Sequence, residues 1–131
     1  MGSVLVAAGI LWAEDNPLDQ QLIREALAQV GGAPPITFVA DGVELLERLR
    51  VRQPSLVVVD LKMPRMGGLQ ALEALRHHPG TRGLEVVVFT STNRPEEIAE
   101  CRRLGATCVQ KPLDFAGLAP AVAAIVARIR S

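Results

Sequence analysis

Short apolar runs alternate five times along this chain with stretches whose apolar residues recur every three or four positions. The runs predict strands near Gly9–Ala13, Ile36–Ala40, Leu56–Asp60, Glu85–Thr90 and Thr107–Gln110. In Leu56-Val57-Val58-Val59 every residue is apolar and the last three are β-branched. Such a run leaves no polar face, as expected of a strand buried on both sides in a parallel sheet. Between the runs, helical spacing passes through Leu18, Leu22, Ile23, Leu27 and Val30, then Val43, Leu45, Leu46 and Leu49, then Leu69, Leu72 and Leu75. Two further helices are expected from Pro95 to Leu104 and from about Phe115 to Ile129. Asn16 ahead of Pro17 and Asp41 ahead of Gly42 supply start signals. Regular alternation with right-handed crossovers predicts an α/β sandwich, a doubly wound parallel sheet with helices on both faces.

Size and charge narrow the class. The 131 residues fit one domain spanning 1–131, with no output domain expected after it. A chain this long can bury roughly 65–70% of its unfolded surface without covalent staples. Its 14 basic and 14 acidic side chains cancel, which argues against direct binding to nucleic acid or an anionic membrane. Cys101 and Cys108 lack metal-type spacing to each other or to His77 and His78, and read as reduced packing residues. Val4–Ala13 is apolar but has no basic leader and is too short to span a bilayer, so a cytoplasmic protein is expected. His77 and His78, ahead of Pro79-Gly80, suit a helix C-terminus, where a cation complements the dipole.

The candidate chemistry follows from the topology. In an open α/β sheet, ligands bind beyond the C-terminal strand ends. There the sequence gathers Glu14 and Asp15 after the first strand, Asp60 after the third, Thr90 after the fourth and Lys111 after the fifth. Met63-Pro64 and Gly67-Gly68 break the chain after Asp60 and prescribe the loop that carries it. Each group alone has an ordinary reading as a helix cap, a turn residue or a solvated charge. Their joint placement at one edge sets those readings aside. Carboxylates ~5 Å apart repel by about 3 kcal/mol per pair at an effective dielectric of ~20, so the cluster calls for a cation. Hard oxygen donors with room for water suit Mg²⁺. Asp60 could then act as a nucleophile toward a phosphoryl group, with Lys111 and the Thr90 hydroxyl holding its oxygens.

Glu14-Asp15-Asn16-Pro17, Asp60-x-x-Met63-Pro64-x-Met66-x-Gly68, Thr90-Ser91 and Lys111-Pro112 together resemble the signature of response-regulator receiver domains. The resemblance covers roughly Ile10 to Ile129. It implies a flavodoxin-like (βα)5 fold and phosphotransfer from a sensor histidine kinase or a phosphotransfer protein. By the same resemblance, Asp60 is the phosphoacceptor, while Asp15, Asp60 and the backbone carbonyl of Lys62 ligate Mg²⁺, with Glu14 holding it through water. Thr90 is then the switch hydroxyl and Lys111 the phosphate partner. Asn16-Pro17 and Asp41-Gly42 also resemble small receivers that work with bacterial phytochromes.

The pattern departs from the family at two places. Receivers usually carry Tyr or Phe three residues before the Lys, where this chain has Cys108, and it contains no Tyr. A backbone-led switch of the Thr90–Pro95 loop and its helix is expected instead. Lys62 follows the acceptor by two residues, and its ammonium could screen the phosphoryl group. The last helix is nearly uncharged before Arg128, with Ala119, Val122, Ala123, Ile125, Val126 and Ile129 covering more than one face. That points to a homodimer through this helix and its neighbours. The competing function is a Mg-dependent aspartyl-phosphate phosphohydrolase acting on small phosphate esters. Haloacid-dehalogenase-like phosphatases place a second Asp where Lys62 stands, which opposes it. A flavin-binding flavodoxin is opposed by the acidic loop after the first strand, where a phosphate cradle needs Ser, Thr or Gly amides.

Overall fold

The expected alternation is realised in a computed structural model, which describes residues 9–31 and 34–130. In chain order the elements are β1 (Ile10–Ala13), α1 (Pro17–Val30), β2 (Ile36–Val39), α2 (Gly42–Val51), β3 (Leu56–Val59), α3 (Gly68–His77), β4 (Val86–Thr90), α4 (Pro95–Arg103), β5 (Thr107–Gln110) and α5 (Phe115–Arg130). The five strands form one parallel sheet in the order β2-β1-β3-β4-β5. This is the flavodoxin-like order, and the switch point lies between β1 and β3. Gly9, Ala40, Asp60 and Glu85 fall just outside the strands expected to include them, and Leu104 caps α4 rather than extending it. The part of the Val4–Ala13 stretch before Gly9 lies outside the described residues.

Side-chain alternation divides the strands between two cores. Leu11, Ala13, Val57, Val59, Val86 and Val88 face α2, α3 and α4, where they meet Leu45, Leu49, Leu72, Leu75 and Cys101. Ile10, Trp12, Leu56, Val58, Val87 and Phe89 face α1 and α5, where they meet Ile23, Ala26, Val122, Ile125 and Val126. The apolar run of β3 is thus used on both sides, as its composition requires.

Local signals position the helices. Asn16 accepts hydrogen bonds from the amides of Leu18 and Asp19, so two otherwise unpaired donors of α1 are satisfied. Asp41 does the same for Glu44 at α2, and Asp114 for Gly117 at α5. At the C-terminus of α3, the His77 ring lies 2.7 Å from the Glu73 carbonyl, and the His78 ring accepts the Gly80 amide. His77 therefore serves the helix end, as its position suggests, whereas the His78 ring, as an acceptor, closes the turn that follows.

Candidate functional site

The C-terminal ends of β1 and β3 open a crevice at the switch point, and the chain after β3 is shaped to leave Asp60 there. Gly68 starts α3 so close to the strand end that an added Cβ would stand 2.3 Å from the Asp60 carbonyl oxygen. Its amide donates to the Leu61 carbonyl at 3.1 Å. Between them, the Met66 amide donates to the Pro64 carbonyl, closing a tight turn at Arg65, whose φ of 60° lies in the left-handed region. The Arg65 guanidinium holds Asp41 through Nε at 2.8 Å and a second nitrogen at 3.2 Å. The Met66 carbonyl accepts from the Gly42 amide at 2.9 Å. The loop after Asp60 is therefore fastened to the start of α2.

Both oxygens of Asp60 are engaged. Its Oδ1 accepts from the Thr90 hydroxyl at 2.9 Å and from the Lys62 amide at 3.3 Å, and its Oδ2 accepts from Lys111 Nζ at 2.9 Å. The same ammonium donates to Glu14 Oε1 at 2.8 Å and to Asp19 Oδ2 at 3.4 Å. Glu14 and Thr90 are almost completely buried, at 1% and 2% exposure, and Asp60 keeps 8%. Burial by itself pushes the Lys111 ammonium toward deprotonation, but its hydrogen bonds to Glu14 and Asp60 and their charges prevail, so its pKa lies above the ordinary lysine value. Burial raises the pKa of Glu14 against the opposing pull of Lys111. Lys111 is therefore a fixed cation shared among three acids.

Of the residues singled out from the sequence, Glu14, Asp60, Thr90 and Lys111 converge in this network. Asp15 lies on the same loop as Glu14 but is exposed and takes no part in the hydrogen bonding. Lys62 contributes its backbone, and its side chain is exposed. The sequence reading missed Asp19 as a partner of Lys111; its place in the first turn of α1 was the available signal. It also took Asp41 as a cap only, whereas Asp41 is ion-paired to Arg65 as well.

Among the described residues, no three His, Cys, Asp or Glu side chains are grouped so as to hold a metal by themselves. The donor set nevertheless fits a hard divalent cation. Its side-chain donors are carboxylates, their charge exceeds that of Lys111, and Asp15 has no competing partner. A cation completed by backbone carbonyl and water suits that composition. Among the described residues, no helix is long and apolar enough to cross a membrane.

Fold and site together define a flavodoxin-like receiver, an α/β domain built to present an aspartate at its switch point. The family model of the response regulator receiver domain matches residues 10–123, and the chain belongs to that family. It is 36% identical over 107 residues to Regulator of RpoS from Escherichia coli K12, covering 80% of this chain and 30% of that protein. It is 26% identical over 122 residues to a probable chemotaxis protein CheY from Rhizobium etli, covering 92% of this chain and 94% of the other. A crystal structure of the phosphorylated cyanobacterial phytochrome response regulator RcpA superimposes with a TM-score of 0.84 at 27% identity, covering 92% and 91% of the two chains. The chain spans 30–58% of the length of the first curated relatives it matches.

Proposed function

We propose that this receiver stands alone in a two-component phosphorelay, taking a phosphoryl group onto Asp60 from a sensor histidine kinase or a phosphotransfer protein. The observation that carries the reading is the division of the Asp60 carboxylate between Thr90 and Lys111. An Asp60 oxygen attacks phosphorus as the bond to the donor nitrogen breaks. Lys111, held by Glu14 and Asp19, remains beside the acceptor as a cation for the incoming oxygens. Mg²⁺ held by Asp15, Asp60 and the Lys62 carbonyl, with Glu14 through water, would offset the phosphoryl charge. Activity is confined to phosphorylation and hydrolysis at Asp60.

The added charge of about −1.5 to −2 is read out through Thr90. Its hydroxyl donates to Asp60 and accepts from the Thr92 amide at 3.3 Å, and the Thr92 hydroxyl reaches Glu97 of α4 at 3.0 Å. That chain supports a backbone-led switch of the Thr90–Pro95 loop. The likeness to RcpA, and to a response regulator described in red light signaling of R. palustris, supports a bacteriophytochrome as the kinase. Free thiols at Cys101 and Cys108 accord with the bacterial cytoplasm. Phosphorylation changes affinity for a partner or for a second copy, the latter through α5 and its neighbours.

The test is incubation with Mg²⁺ and acetyl phosphate, followed by intact mass. The parent chain gains one phosphoryl mass and Asp60→Asn gains none. An equal gain in both would remove Asp60 from its role.

A further inference from the structure

Cys101 and Cys108, which spacing assigns to packing, meet across the seam between α4 and β5. Cys101 lies in the last turn of α4 and is fully buried, while Cys108 is half-buried in β5 opposite Val88 and packs against the same core. Both side chains pack into the same core beneath α4. The Cys108 sulfur also lies 3.9 Å from the carbonyl of Ile98, one turn ahead of Cys101. On its other side Cys108 lines a groove of about 410 Å³ with Thr92, Ile98, Val109 and Gln110. We propose that Cys101 and Cys108 form a dithiol site for hydroperoxides, closing to a reversible disulfide that ties α4 to β5.

The groove gives a small oxidant a path to Cys108 and none to Cys101. Burial pushes the Cys101 thiol up to about 11, so it stays protonated and unreactive until its neighbour is oxidised. The Cys108 sulfur attacks one peroxide oxygen; an S–O bond forms, the O–O bond breaks, and with hydrogen peroxide one water leaves. The Cys101 sulfur then displaces the oxygen of the sulfenic acid. The S–S bond forms, the S–O bond breaks, and the Cys101 proton leaves with hydroxide as a second water. Two thiols lose two hydrogens and one peroxide is reduced. A disulfide sulfur pair is only ~2.05 Å apart, so the bond draws the end of α4 toward β5. An external dithiol reverses it. The regulatory consequence rests on the phosphoacceptor reading: α4 also holds Glu97, the far end of the Thr90–Thr92 chain, and a tethered α4 cannot follow Thr90.

The experiment treats the full chain with stoichiometric hydrogen peroxide, denatures it, alkylates with N-ethylmaleimide and weighs it intact. The expected product has lost two hydrogens and takes no alkyl group; dithiothreitol restores two. Cys108→Ser and Cys101→Ser should each abolish that product, with circular dichroism confirming the fold. If the buried Cys101→Ser does not fold, Cys108→Ser alone decides. Oxygen gained at Cys108 while Cys101 still alkylates, or a bond between two chains, overturns the proposal. Asp60→Asn should form the disulfide as the parent does. A chain that fails to cross-link but is phosphorylated refutes the dithiol alone, and one that cross-links but takes no phosphoryl group refutes the receiver reading alone. In the oxidised, phosphorylated chain, amide shifts of residues 91–94 should lose most of the response seen when reduced; an undiminished response overturns the regulatory role.

Discussion

At Gly68 the start of α3 runs against backbone rather than side chain: an added Cβ would meet the Asp60 carbonyl oxygen at 2.3 Å, its carbon at 2.9 Å and the Leu61 Cα at 3.0 Å. None of these atoms can rotate away. Gly68→Ala should therefore cost about 1–3 kcal/mol in urea unfolding and slow phosphoryl uptake by displacing the acceptor. Asp41 gives a pH-dependent counterpart. The Arg65 guanidinium, then the Glu44 amide, hold its carboxyl below the ordinary range. A lowered carboxyl pKa adds stability above the unfolded value of about 3.9, lost as pH falls through the folded value. Asn keeps the cap but removes the charge. Asp41→Asn should thus be less stable than the parent near neutrality, with the gap in urea midpoint closing in acid once the parent carboxyl is protonated. Asp60, Thr90 and Lys111 are legible in the sequence because each stands at or just past the end of an apolar run, and the topology rules place strand ends together. The Arg65–Asp41 pair is not legible. It joins two loops 24 residues apart through a left-handed residue that no pattern marks. The contact between Cys101 and Cys108 escapes for a similar reason, since it depends on how α4 settles on β5.

Among the elements, α5 departs most from local rules. Pro120 lies inside it, where it cannot donate to the Ala116 carbonyl, yet the helix runs on from Phe115 to Arg130. Burial of Leu118, Val122, Ile125 and Val126 against the sheet and α1 outweighs the break. Pro120→Ala should accordingly raise stability by about 1–3 kcal/mol, measured as a higher urea midpoint with an unchanged m-value. The elements themselves are legible to within a residue or so at most ends. Composition fixes which segments pair, whereas the last residue of each depends on a particular hydrogen bond. Arg76 shows what pattern leaves out: its guanidinium donates to the carbonyls of Leu104, Arg82 and Leu84, stapling α3 to two loops.

For the whole molecule, the two cores share one sheet, and the second apolar face expected of α5 is partly occupied within the chain. Ile129 and Ala119 are partly buried against the core shared by the sheet, α1 and α5, whereas Ala116, Ala124 and Ala127 are exposed. If α5 also serves self-association, these small residues allow close approach. Light scattering should then show mass rising with concentration, more so after phosphorylation. A constant monomer mass in both states would refute the dimer. Lys111 carries a last consequence. It lies 97 residues from Glu14 and 51 from Asp60, and no other cation joins those two acids among the described residues. During synthesis at roughly 5–20 residues per second, Glu14 emerges about 5–20 s before its counter-charge. The acids at the end of β1 thus wait for the fifth strand, and a ribosome must make most of the chain before any of it can receive a signal.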